Sequence, residues 1–152
     1  MTQIKYCPST DKLGKAVVKY FRDENYQNYL DTKKCVFNTG INKYINQINS
    51  TTMADEFKIL DIERAKLYSE LTKEQNEVLD RLVLSLLDGV AFNVMRALEE
   101  NNATEENFKK ENGIKLKVDG KNIEDLELIG GTLFHEIFDW YPRFSKFGQY
   151  QH

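Results

Sequence analysis

From Leu79 onward, apolar residues recur in steps of three and four: Leu79, Leu82, Val83, Leu86, Val90, Val94 and Leu98. That spacing gathers them on one face of an α-helix. At about 100° per residue, Leu84, Leu87, Ala91 and Met95 widen the face. Only a wedge of Glu74, Glu77, Arg81, Ser85, Asp88 and Glu99 stays polar. A helix apolar over most of its circumference is normally surrounded by other elements. The pattern therefore predicts a long central helix over about 72–100. Thr72 and Gln75 open it as a capping box, in which the hydroxyl and the side-chain amide satisfy orphan backbone donors. Asp80 and Asn93 fall inside the apolar arc, and a buried polar group needs a hydrogen bond. A neighbouring loop is the expected partner for both.

The rest of the chain wraps that element. Ser9, Thr10 and Asp11 offer N-caps to a first helix carrying Leu13, Val17, Tyr20 and Phe21, expected to fray between Asn25 and Leu30. Ile41, Tyr44, Ile45 and Ile48 mark a short amphipathic helix ending before Ser50, and Phe57 to Leu71 reads as helical, although Phe57, Ile59 and the residues around them also fit a strand. After Asn101-Asn102 the period changes. Ile114, Leu116 and Val118 alternate with lysines and run into Asp119-Gly120, the signature of a hairpin with a type I′ turn returning along Lys121 to Ile123. Thr132 can cap a last helix bearing Leu133, Phe134, Ile137 and Phe138, which Pro142 should end. The fold class is mainly α (α+β): a helical bundle around the central helix with a small β-hairpin near 114–123. With 152 residues, 41% of them hydrophobic, the chain 1–152 reads as one globular domain that needs neither disulfide nor metal to fold.

Composition narrows the function. The N-terminal residues lack the apolar core of a secretory signal, and the longest apolar stretch, Leu82 to Phe92, is broken by Ser85, Asp88 and Gly89. A cytoplasmic protein without a membrane span is expected. Cys7 and Cys35 are unclustered, as in a reducing compartment. Only His135 and the terminal His152 supply imidazoles, so Cys/His or Ser/His catalysis has little to draw on. His135 and Asp139 stand at i and i+4 and could offer two metal ligands, but catalytic zinc usually takes three, and a solvated helical face explains them. No cofactor is called for.

Charge and aromatic content point to binding. Residues 1–49 carry a net of +4, residues 50–106 a net of −7, and the remainder is neutral. Glu99, Glu100, Glu105 and Glu106 cluster where the central helix ends, opposing its macrodipole. Trp140, Tyr141, Arg143, Phe144, Lys146, Phe147 and Tyr150 interleave rings with bases, a pattern found both at protein contacts and where single-stranded nucleic acid stacks. The overall acidity argues against nucleic acid.

Leu86-Leu87-Asp88-Gly89-Val90-Ala91-Phe92-Asn93 and Phe138-Asp139-Trp140-Tyr141-Pro142-Arg143-Phe144-Ser145-Lys146-Phe147 together resemble small bacterial immunity proteins of polymorphic-toxin and contact-dependent inhibition systems. The resemblance implies a non-catalytic protein that binds a cognate toxin domain and blocks it. A basic toxin domain, such as a nuclease, would meet the acidic surface, with Glu99, Glu100, Glu105, Glu106, Trp140, Tyr141 and Arg143 as contacts. Two alternatives stand beside it: a small enzyme using carboxylates such as Asp80, Glu136 or Asp139, and a nucleic-acid or phage accessory protein using the aromatic tail.

Overall fold

A computed structural model describes residues 7–103, 117–122, 126–129 and 131–148, without the side chains of 100–103. It is mainly α with a small hairpin. The helices are α1 (Pro8–Val17), α2 (Glu24–Thr39), α3 (Ile41–Asn49), α4 (Asp55–Glu70), α5 (Lys73–Ala103) and α6 (Glu136–Phe144), and the hairpin is β1 (Lys117–Val118) with β2 (Lys121–Asn122). Between α1 and α2 the chain stays helical but widens into a π segment, Val18–Asp23.

The expected fraying at Asn25 to Leu30 does not occur. The π segment shifts the register of the backbone bonds, and the Asn25 side-chain amide donates to the carbonyls of Tyr20 (2.8 Å) and Phe21 (3.3 Å). Tyr26, Lys33 and Val36 then bury one side of α2 and hold the helix through Thr39. At the other end of the chain, Pro142 does not stop α6. It sits in the last turn, where little helix remains to be lost, and the helix closes with Ser145 N–H donating to the Tyr141 carbonyl. Thr132 accepts the first bonds at its carbonyl, so α6 begins at Glu136, after a turn through Leu133.

The hairpin follows the sequence signal. Asp119 (φ 52°) and Gly120 (φ 80°) both lie in the left-handed region that a type I′ turn demands. The antiparallel register pairs Lys117 with Asn122 and Val118 with Lys121. The flanking positions 114–116 and Ile123 lie outside the described residues.

The chain divides into two compact units. One comprises 1–25 and 84–152, the other 26–83. The first is built on Val17, Val18, Ala91, Met95, Leu126, Leu133, Ile137, Trp140 and Tyr141. The second packs Val36, Tyr44, Ala65 and Tyr68, with Tyr29, Ile48 and Leu79 against them. α5 contributes residues to both.

The capping box on α5 is formed: Gln75 N–H donates to the Thr72 hydroxyl (3.2 Å) and Thr72 N–H to the Gln75 side-chain oxygen (2.8 Å). The helix is not enclosed on every side, however. Among the described residues Val78, Leu82, Leu86 and Val90 remain exposed, and so does Asn93. The arc the sequence presents as wholly buried is covered through Leu84, Ala91 and Met95, and is open along the row running every fourth residue from Val78.

Candidate functional site

Four of the seven expected contact residues have described side chains: Trp140 and Tyr141 are buried, and Glu99 and Arg143 are half-buried. Trp140 has no exposed surface, and its indole lies so close to α1 that a Cβ on Gly14 would stand 2.6 Å from the ring. Tyr141 is buried and its hydroxyl donates to the Asp88 carbonyl (3.5 Å). Arg143 bridges Asp139 and Asp11, both at 2.6 Å. Glu99 accepts from Leu133 N–H (3.0 Å). Trp140 and Tyr141 are therefore core residues, and their large rings carry much of the apolar area buried there. Glu100 lies in α5 with its side chain outside the description, and Glu105 and Glu106 lie outside it altogether.

The residues that sequence reasoning missed are two buried cations. Arg22, on the π segment, is fully buried; its Nε donates to Asp88 (2.5 Å), Nη1 donates to the Ser145 hydroxyl and stands 3.5 Å from Asp23, and its guanidinium lies 4.4 Å from the centroid of the Tyr141 ring. Asp23 is held in turn by the Ser145 hydroxyl (2.6 Å) and Lys146 N–H (2.9 Å). Burial pushes the Asp88 carboxyl above its ordinary pKa, although Arg22 pulls the other way. Burial, with Asp88 adding to it, also raises the Tyr141 phenol.

In the other unit, Lys33 donates to Asp80 (2.6 Å) and Tyr29 does the same (2.6 Å). Burial, then the Asp80 contact, drives the Tyr29 phenol well above its usual range. Asp80 thus finds its partners on a helix rather than a loop. The signal that could have found Lys33 and Arg22 was Asp80 and Asp88 themselves, carboxylates on a helix otherwise apolar enough to be buried.

This chain matches no family model, no curated protein and no solved structure.

The acids and bases gathered in this way hold the fold. Asp139, a candidate catalytic carboxylate, is tied to Arg143, and His135 Nδ1 lies 2.6 Å from the Thr132 hydroxyl. Among the described residues no three His, Cys, Asp or Glu side chains gather as a metal set, and no helix is long and apolar enough to cross a membrane. Cys7 and Cys35 are free thiols. The two segments of the resemblance leave outside Asn93 and Lys146 and three large apolar side chains: Leu86 (61% exposed) and Val90 (52%) on α5, and Phe138 (53%) on α6, whose ring centroid lies 6.0 Å from that of Phe92.

Proposed function

We propose that this protein is a non-catalytic binding module of the immunity type, which docks on a cognate toxin domain and neutralises it. The observation that supports this most is the division of labour within Leu86–Asn93 and Phe138–Phe147. Asp88, Tyr141 and Ser145 are engaged in the Arg22 network and Asp139 pairs with Arg143, while Leu86, Val90 and Phe138 stand in solvent with Asn93 and Lys146. Exposed apolar side chains that stand together, as Leu86 and Val90 do one turn apart on α5, mark a protein contact, whereas singly scattered ones do not. Exposed carboxylates at Glu56, Glu63, Glu70 and Glu74 add the negative field that would draw in a basic partner.

Co-expression with a basic toxin domain is the test. A stable complex is expected, with toxicity abolished, and a Leu86→Glu/Phe138→Glu double variant should fold yet fail to protect. A screen of such domains that yields no complex, or protection untouched by the double variant, overturns the reading.

A further inference from the structure

α4 is apolar on more than its core side. Ala65 and Tyr68 pack inward with Val36 and Tyr44, while Phe57 (63% exposed), Leu60 (49%) and Leu67 (46%) stand in solvent. Phe57, Leu60, Arg64 and Leu67 follow one another in steps of three, four and three, the spacing of the seam along which two helices pack. Arg64 interrupts the seam, but its guanidinium is drawn aside by Asp61 and its stem remains as apolar surface. Ile59, also exposed, lies beyond the seam.

A row of carboxylates runs along one edge of the seam. Glu56, Glu63 and Glu70 recur every seven residues, each one position before a seam residue or its continuation, and all three are exposed. Seven residues are nearly two turns, so the row drifts by only about 20° per step and stays beside the seam throughout. α4 pairs its other acids within itself, Asp55 with Lys58 (3.7 Å) and Asp61 with Arg64. The three glutamates make no ion pair with any described residue. Along the opposite edge stand Asp61, half-buried, and Tyr68, in the core.

We infer that this side of α4 docks an amphipathic helix of another protein, whose apolar stripe meets Phe57, Leu60 and Leu67 and whose Lys or Arg side chains, spaced by seven, meet Glu56, Glu63 and Glu70. The interval selects a helix. Successive glutamates are about 10.5 Å apart, the rise of seven helical residues, and a helix laid alongside repeats at the same distance. A strand covers that distance in about three residues, after which its side chain points to the other face. Charge selects against a second copy of this chain. An antiparallel pair of α4 helices sets the glutamate row against itself, and a parallel pair sets it against Asp61 and Tyr68, so neither supplies a cation. The surface belongs to the unit 26–83 and uses none of Leu86, Val90 and Phe138, so it stands whether or not the partner is a toxin domain.

The probe is a synthetic three-heptad peptide with Leu on its seam and Lys on both edges, compared with the same peptide carrying Glu for Lys and with a scrambled peptide of equal composition. Fluorescence anisotropy with the full chain is expected to show one saturable site for the Lys peptide and at least about tenfold weaker binding of the other two. Leu60→Ser/Leu67→Ser, at exposed positions, should weaken the Lys peptide about tenfold, and Glu56→Lys/Glu63→Lys/Glu70→Lys should reverse the preference toward the Glu peptide. Leu86→Glu/Phe138→Glu should leave it unchanged, which separates this surface from that of the proposed toxin contact. Circular dichroism checks that each variant is folded. The inference is overturned by absence of saturable binding, by equal binding of the scrambled peptide, or by a Lys-peptide affinity unmoved in the folded Leu60→Ser/Leu67→Ser variant. Sedimentation equilibrium adds one more such outcome: a dimer that this variant dissociates would mean that a second copy covers the face.

Discussion

Arg22 carries a full charge with no exposed surface; its Nε and Nη1 are paired, while Nη2 is buried without a hydrogen-bond partner among the described residues. Asp88, Ser145 and Asp23 take the polar edge, and Tyr141 takes the guanidinium against its ring. Removing the cation leaves two poorly solvated carboxylates behind, so Arg22→Met is expected to lose about 3–5 kcal/mol in urea denaturation. Asp88→Asn should lose less than about 1 kcal/mol, because the amide oxygen still accepts from Nε and burial already disfavours the carboxylate. The two variants also separate by pH. A carboxyl whose folded pKa is raised binds its proton more tightly in the folded chain than in the unfolded one. The resulting stabilisation is complete below the ordinary carboxyl range and is lost as pH rises through the raised value. Wild type should therefore gain stability relative to Asp88→Asn as pH is lowered from about 7 toward about 4, as measured by urea melts at both ends.

Gly14 belongs to the same scale. Its missing side chain is what lets the Trp140 indole lie on α1, so Gly14→Ala forces the ring away despite the better helix propensity of alanine. A loss of about 1–3 kcal/mol in thermal or chemical melts is expected, the magnitude of overpacking.

At the scale of elements, α5 was the most legible part of the chain. The Thr72–Gln75 box is a local device, formed by four adjacent residues whatever packs around them, and the structure closes it as the spacing implies. Asp119-Gly120 is equally local, since only a backbone that tolerates positive φ can make that turn. The π segment was not legible. Val18 to Asp23 contains no glycine or proline to mark a change of period, and the bonds that stabilise it come from Asn25 and from Ser145, one of them more than a hundred residues away. The same limit explains the tail: aromatic and basic residues alternate identically in a contact surface and in a core, and only the position of Gly14 against Trp140 and of Arg22 against Tyr141 decides between them. Which part of the apolar arc on α5 stays open was illegible too, because hydropathy counts side chains and not what covers them.

Gly89 sits within that open part. A Cβ there would meet nothing within 4 Å, so nothing in the free protein among the described residues requires a glycine. An interior helical glycine is about 1 kcal/mol less favourable than alanine. Gly89→Ala is expected to stabilise the free protein by about 0.5–1 kcal/mol. If the partner's backbone approaches α5 between Leu86 and Val90, the same substitution weakens the complex. A melt and a binding titration on one variant read both effects, and a gain in stability with unchanged affinity would place the contact elsewhere.

For the whole molecule, the question is how much of the charge asymmetry faces outward. The basic first third and the acidic middle partly neutralise each other inside the chain, through Arg22 with Asp88 in one unit and Lys33 with Asp80 in the other. Those pairs stand in little solvent, where added salt screens weakly, whereas the carboxylates left over on α4 and α5 are exposed. Fold and recognition should therefore respond differently to ionic strength. Between about 0.05 and 0.5 M NaCl the melting temperature is expected to move by no more than about 2 °C, while the association rate with a basic partner falls by about tenfold or more. Differential scanning fluorimetry and stopped-flow mixing over the same salt series measure the two. A melting temperature that falls with salt as steeply as the rate would mean that the internal pairs are as exposed to screening as the surface. An association rate indifferent to salt would mean that the surviving negative field plays no part in bringing the partner in, and that recognition rests on the apolar face of α5 and α6 alone.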